Sequence, residues 1–416
     1  MTVALHPNCR PKGNMLALNL TCELGLFEIL EEEELVLHVL SYFNPIDLLN
    51  FGKTCKKAFI WSTFDELWKN YCLKYHIYSF NHNWRQTFTN KVQQPTTVMA
   101  YNDLVFNIYR YANCELPNGE HTIPMLENAT LSEFEHFERE NLPCILKGAC
   151  KEWPAYSKWT WEYLIQECGD ALFQAESIDI TIKEFSKYAL GHPKDEACIY
   201  LFDKHFKSTV PSLANDFKVP DYFKDDYFSY LNNRPDYCWL IAGPERSGST
   251  FHKDPNMTSA WNATIRGRKL WIMTPPNKIP PGIFPSKDGS TVTTPLSLMD
   301  WYTNYRDSCD CIEGISEEGD VVFIPHGWFH SVINLEPSIA ITQNYVGRYN
   351  LCTVLKFLKN KTDQISGIDD SQLFDHFLEA LDIVDSKEIQ SIIHQFKKKK
   401  KLDRLFSAQQ QMTFGF

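Results

Sequence analysis

No run of about 18 apolar residues occurs anywhere in this 416-residue chain, which excludes a membrane-spanning helix. The stretch from Met1 to Leu20 carries Pro7, Asn8, Arg10, Lys12 and Asn14, so it lacks the apolar centre of a secretory signal. Positive charge is in the minority. With 41 Lys and Arg against 52 Asp and Glu the net charge is −11, which argues against a dedicated nucleic-acid binder. The 13 cysteines are odd in number and follow no regular spacing. Cys309-Asp310-Cys311 is a close pair without the second pair that would complete a zinc quartet, so its thiols read as structural. Internal repeats and long low-complexity tracts are also missing. These absences predict a soluble protein of a reducing compartment, nucleus and/or cytoplasm, with no membrane partner.

What is present divides the chain. A length of 416 residues with 44% hydrophobic residues and 11 tryptophans supports more than one well-packed domain. A tail (1–21) precedes a compact helical module (22–76). There the acidic run Glu31 to Glu34 leads into Leu35, Val36, Val39, Leu40 and Phe43 at helical spacing. Asn44-Pro45 stops that helix, and Asp47 before Leu48-Leu49 marks the next start. A second periodic set, Phe51, Cys55, Phe59 and Trp61, ends on Leu67-Trp68. A connector (77–120) contains Gln93 to Thr97 and Pro117-Asn118-Gly119.

The segment 121–350 is α+β, and from Tyr237 its texture is β. Tyr237 to Ile241, Ser259 to Ile265, Lys269 to Thr274, Val321 to Ile324, Phe329 to Asn334 and Ile339 to Tyr345 predict short strands. Arg266-Gly267-Arg268 reads as a hairpin connection, and Glu318-Gly319-Asp320 and Glu336-Pro337-Ser338 are turn chemistry. Evenly spaced antiparallel strands of this length predict a barrel or jelly roll. The last segment (351–416) returns to helix, with one apolar face of Leu373, Phe374, Phe377, Leu378 and Leu381, and it carries the basic run Lys397 to Lys401. That run fits either a nuclear-import signal or a solvated helix end.

Within the β region, His252 and Asp254 are two residues apart, so on an extended backbone both side chains project to one side and Lys253 points away. His330 follows a later turn held by Pro325 and Gly327. Two imidazoles and one carboxylate on one face of a ferrous ion leave the opposite face open to a co-substrate and O2. Taken alone, a His-x-Asp triplet equally fits surface or hydrogen-bonded core residues.

The wider context carries two resemblances. Val39 to Leu49 (VLSYFNPIDLL), Cys55-Lys56 and Leu67-Trp68-Lys69 resemble an F-box, although Glu31-Glu32 stands where that family begins with Leu-Pro. That resemblance implies docking through residues 22–76 to the adaptor subunit of an SCF-type (cullin–RING) ubiquitin ligase. Tyr200 to Asp203, Gly243 to Gly248, Thr258 to Ala263, Gly267 to Trp271, Pro325 to His330 and Ile341 to Asn344 fall in the order of the jumonji-C oxygenases. The chain is most similar there to the lysyl hydroxylase and phosphatidylserine-receptor-like branch, over about Leu142 to Tyr345.

This second resemblance implies a cupin-like, jelly-roll double-stranded β-helix with flanking helices. It further implies Fe(II) on His252, Asp254 and His330, with 2-oxoglutarate and O2 as co-substrates. Lys269 would pair with the far carboxylate of 2-oxoglutarate. Tyr200, Ser249 and Thr342 would donate hydroxyl hydrogen bonds, Asn262 would line the pocket, and Asn344 would orient groups beside the metal. His326 falls where the motif is variable, and Thr250 where the closest relatives carry glycine. Trp239 fits either a substrate entrance or a core tryptophan. The implied reaction is hydroxylation of a protein side chain or N-demethylation, since hydroxylating an N-methyl group releases formaldehyde. Two alternatives stand beside it: a non-catalytic or dual-role receptor of a ubiquitin ligase, and an RNA-modifying hydroxylase, which the acidic balance disfavours.

Overall fold

The computed structural model describes residues 33–397 apart from 82, 91–110, 112, 196, 296, 385, 388 and 395. Glu31-Glu32, Gln93 to Thr97 and Lys398 to Lys401 lie outside the described residues. Helices α1 (Glu33–Leu40), α2 (Pro45–Phe51), α3 (Lys56–Ser62), α4 (Asp65–Lys74) and α5 (Trp84–Thr89) open the described chain. The second of these begins earlier than expected. Asn44 is its N-cap, accepting from the backbone N–H groups of Ile46 and Asp47, and Pro45 occupies the first turn with its N–H not needed. The periodic set from Phe51 to Trp61 is likewise split, because Cys55 caps α3 instead of continuing a helix. Helix α5 falls in the expected connector but packs back on α4, burying Trp84.

The β domain is two facing sheets. It begins with β1 (Met125–Glu127), β2 (Cys144–Lys147), β3 (Leu172–Ala175) and β4 (Ile178–Thr181). The strands around the interior are β5 (Leu201–Asp203), β6 (Cys238–Gly243), β7 (Gly248–His252), β8 (Ser259–Arg266), β9 (Lys269–Thr274), β12 (Ile312–Ser316), β13 (Val321–Ile324), β14 (Phe329–Asn334) and β15 (Ser338–Tyr345). A separate short pair is β10 (Phe284–Pro285) with β11 (Val292–Thr293). The larger sheet runs β1-β2-β13-β8-β15-β6-β5-β3-β4 and the smaller β12-β9-β14-β7. Arg266-Gly267-Arg268 is not a hairpin: β8 belongs to the larger sheet and β9 to the smaller, so this turn is a corner between sheets. Gly267 allows it, with φ +76 and no room for a Cβ beside Pro337 O. The turns after β12 and β14 are corners of the same kind.

Several of these strands are buried on both faces, which explains why they read as continuous apolar runs. Alternation sorts the residues. Along β9, Leu270 and Ile272 pack outward with Phe251, Phe329 and Ile333, whereas Trp271 and Met273 pack inward with Ala260, Val322, Ile324 and Val332. On the larger sheet, Trp261, Ala263, Phe323, Ile339, Ile341 and Tyr345 face outward into a cluster that also contains Trp68, Tyr71, Cys72 and Trp84 from α4 and α5. The helical module and the β domain thus share one core. The C-terminal helices Leu351–Asn360 and Leu373–Ala380 bury Val354, Leu355, Leu358 and Phe377 in a second cluster with Phe228 and Val346. Among the described residues no helix is long and apolar enough to cross a membrane.

Candidate active site

The inward faces of the two sheets carry polar residues where a core would be apolar. On β14 they are His330 and Asn334, at positions i and i+4; on β9, Lys269; on β8, Asn262; on β15, Thr342 and Asn344. Strand β7 is irregular. His252 pairs with His330 and Ser249 with Val332, so three steps on β7 match two on β14. The extra residue is a β-bulge, and it turns both Ser249 and His252 inward although they are three apart. Gly248 permits the approach, since a Cβ there would stand 1.9 Å from Val332 O.

Of these, Ser249, His252, Asn262, His330, Thr342 and Asn344 line a cavity of about 190 Å³, whereas Lys269 lies behind its wall, touching the lining residue Tyr200, with Asn334 beside it. His252, Asp254 and His330 meet at one end, each offering a ligand atom within 4.8 Å of the others. The imidazoles lie 4.2 Å apart, centroid to centroid. His252 Nδ1 bonds Thr250 O at 2.7 Å and His330 Nδ1 approaches Trp328 O at 3.3 Å. A carbonyl can only accept, so each Nδ1 carries the proton and each Nε2 keeps its lone pair for a cation. Lys253 points away, with Nζ 3.3 Å from Pro276 O and over the Phe329 ring.

Asp254 is half-buried with its Oδ2 turned away from water; burial of the carboxyl raises its pKa, although His252 and the Asn344 amide pull it down. Its Oδ2 has no hydrogen-bond partner, and neither has Oδ1 of Asn262. Burial also holds His330 well below the ordinary histidine range, and the neighbouring His252 adds to this. An orphaned carboxyl oxygen beside two imidazoles is a donor set that fits a divalent transition-metal ion.

Lys269 is fully buried, and its Nζ donates to Asn334 Oδ1 at 2.8 Å and reaches Tyr200 OH at 3.5 Å. Asn334 is held in turn by donating to Ser247 Oγ at 2.8 Å. Burial without a countercharge lowers the Lys269 pKa to about 7. A buried ammonium facing neutral oxygens fits the carboxylate of a small ligand. Tyr200, Ser249, Asn262, Thr342 and Asn344 all line the cavity. Thr342, however, gives its hydroxyl hydrogen to Trp261 O at 2.9 Å, so it offers a ligand lone pairs instead of the expected donor. Asn344 donates to Thr258 Oγ1 at 2.8 Å and so fixes the strand that follows the Asp254 turn. Trp239 stands at the cavity wall, stacked on the part-exposed Phe202, and is not a core residue. His326 is separate from the histidine pair; its carbonyl accepts from Asn141.

Sequence reading missed Asn334 and the inward-facing Trp271. The signal was available, because both keep the two-residue period of a neighbour already singled out: His330, Val332, Asn334 on β14 and Lys269, Trp271 on β9.

A jelly roll whose interior holds two imidazoles and a carboxylate at one end and a buried lysine at the other is the architecture of a cupin-like oxygenase. Residues 130–350 match the cupin-like domain and residues 33–70 the F-box domain. The chain is 38% identical to the arginine-specific demethylase JMJ22 of Arabidopsis thaliana, over 90% of this chain and 80% of that protein. It is 34% identical to the bifunctional arginine demethylase and lysyl-hydroxylase psr-1 of Caenorhabditis briggsae, over 56% of this chain and 64% of that protein. The 2-oxoglutarate and iron-dependent oxygenase JMJD4 of Danio rerio is 29% identical, over 56% of this chain and 62% of that protein. The chain belongs to the cupin-like, jumonji-C family of Fe(II)- and 2-oxoglutarate-dependent oxygenases, and it carries an F-box.

Proposed function

We propose that His252, Asp254 and His330 hold the Fe(II), that Lys269 takes the far carboxylate of 2-oxoglutarate, and that the substrate is a basic side chain of a protein. The observation that carries this reading is the His252, Asp254 and His330 cluster with an unpartnered Asp254 Oδ2 on one cavity, and the buried Lys269 against Tyr200 of the same cavity's wall. Iron and 2-oxoglutarate, when bound, supply O2 activation coupled to decarboxylation to succinate and CO2, with insertion of one oxygen atom into a substrate C–H bond. The chain's own work is positional. Thr250 O and Trp328 O fix the imidazole tautomers, Asn334 and Tyr200 hold the lysine, and the apolar shell of Trp271, Ile324 and Val332 keeps water from the reacting face.

The relatives named as arginine demethylase and lysyl-hydroxylase support a basic side chain as target, by N-demethylation or by carbon hydroxylation. A net charge of −11 suits a basic partner more than RNA. Anaerobic titration with Fe(II) and 2-oxoglutarate tests the site. Wild type gives a metal-to-ligand charge-transfer band that His252→Ala loses and Lys269→Ala weakens; a folded, iron-loaded wild type without the band overturns the reading.

The F-box carries the second part of the proposal, docking to the adaptor of an SCF-type ligase. Leu35, Tyr42 and Ile46 are 50%, 77% and 70% exposed, an apolar face that folding leaves uncovered, whereas Leu40 is fully buried. Tyr42→Ala with Ile46→Asp abolishes co-purification with the adaptor and leaves the charge-transfer band intact; retained co-purification counts against the docking face. The basic run Lys397 to Lys401 supports the nucleus as one site of action, and a reporter fusion with those lysines replaced becomes cytoplasmic.

A further inference from the structure

The F-box and the oxygenase meet through buried polar atoms, and the contact runs into the catalytic cavity. Lys69 of α4, nearly buried, lies 3.4 Å from the equally buried Asp195. The Oδ2 atom of Asp195 also accepts from Trp84 Nε1 at 3.0 Å and from Tyr188 OH at 3.0 Å. Tyr188 OH in turn accepts from Ile199 N at 3.0 Å. The remaining strong contact of Lys69 Nζ is to the carbonyl of Ala197. Burial opposes the Lys69 charge, but Asp195 and Glu66 outweigh it and raise its pKa, so the ammonium is retained.

The segment held in this way is Ala197 to Tyr200. Ala197 and Cys198 line a cavity of about 450 Å³ that reaches Ser249 and His252, with Glu176 on the same wall. Glu176 N donates to Tyr200 O at 3.2 Å. Tyr200 lines the smaller cavity and touches Lys269. A lysine of the F-box is therefore two links from the lysine proposed to bind 2-oxoglutarate.

A buried ion pair is a poor source of stability, because desolvation cancels most of its attraction, but it fixes register when the two sides must meet one way. The docking cluster itself is apolar enough to hold α4 and α5 without it, through Trp68, Tyr71, Cys72 and Trp84. The pair adds direction, clamping one short segment of cavity wall.

We propose that Lys69 is a positioning residue for the oxygenase: through Asp195 and Ala197 it sets the Ala197–Tyr200 wall, so that the F-box helix α4 is part of the catalytic unit. This rests on the proposed role of Tyr200 and Lys269 in binding 2-oxoglutarate.

The test is anaerobic Fe(II) and 2-oxoglutarate titration of the full chain, read by the charge-transfer band, for Lys69→Met, Asp195→Asn, Tyr200→Phe and Lys269→Ala. Asp195→Asn keeps an oxygen for Trp84 and Tyr188 and removes only the charge, so it decides the matter if Lys69→Met does not fold. Lys69→Met and Asp195→Asn are expected to weaken 2-oxoglutarate binding about 2- to 30-fold, the usual range for coupling through a packed segment. Amide exchange should quicken at residues 197–200. An unchanged affinity in folded Asp195→Asn, with Tyr200→Phe and Lys269→Ala both weakened, overturns the positioning role alone. Unchanged affinity in Tyr200→Phe and Lys269→Ala overturns the co-substrate assignment instead, and amide exchange at 197–200 then decides whether Lys69 sets the wall.

Discussion

The two ends of the interior between the sheets are built on opposite principles. At the metal end three donors are already aimed, two by backbone carbonyls and one by its place in the turn after β7. At the other end a single lysine waits with a neutral amide and a phenol for company. Burial has pushed both ends towards neutrality, raising the Asp254 pKa and lowering that of Lys269. In the proposed reading a cation completes the first and an anion the second. The protein is charge-incomplete at both ends, with opposite sign.

The harshest way to break that comparison is at the metal end. Asp254→Ala removes the carboxyl donor of the three, and iron affinity measured by titration should fall by more than about 100-fold, beyond the usual loss on removing a supporting contact. At the other end, Lys269→Met should weaken 2-oxoglutarate binding by about 30-fold or more, as truncating one partner of a buried charge pair does. The same change relieves an unpaired buried amine, so the ligand-free melting temperature should rise by about 1–3 °C. Loss of stability together with loss of binding would show that the lysine is satisfied without a ligand.

pH sharpens the contrast, because the two ends respond in opposite senses. Lys269 in the free protein titrates at about 7, and a carboxylate ligand needs it charged. Affinity for 2-oxoglutarate should therefore be full below pH 7 and fall by about tenfold per pH unit above it, with proton uptake on binding. Iron binds the carboxylate form of Asp254, whose pKa burial raises, so iron affinity falls as pH falls. Calorimetry in buffers of different ionisation enthalpy reads both proton counts. The smallest effect belongs to Asn334→Leu, which removes one hydrogen bond to the ammonium; about 3- to 10-fold weaker 2-oxoglutarate binding is expected, with iron affinity unchanged.

The metal end was also the more legible in sequence. His252 and Asp254 announce themselves locally, and His330 sits in a turn with its own pattern, Pro325 to His330. Lys269, Asn262 and Thr342 were reached through family resemblance, and the strand period would have supplied Asn334 as well. Other features depend on partners remote in the chain. The bulge that turns both Ser249 and His252 inward exists only against β14. Arg266-Gly267-Arg268 has the composition of a hairpin turn, and only the pairing of β8 with β13 and β15 shows that it changes sheets. Helix α5 was hidden for the same reason, since six residues become a helix where Trp84 finds α4 and Tyr188 to pack on. The start of α2 was a different error: Asn44 caps as well as an aspartate, Pro45 suits a first turn, and Asp47 then lies inside that turn.

The shared core also orders events during synthesis. Trp84 is completed by Asp195, 111 residues further along, so the N-terminal helices leave the ribosome with a buried partner still to be made. At about 5–20 residues per second that wait lasts roughly 6–22 s. Completion of the F-box contact is thus evidence that the first part of the oxygenase, as far as Asp195, has been translated, while the strands that carry His252, Asp254 and His330 still follow.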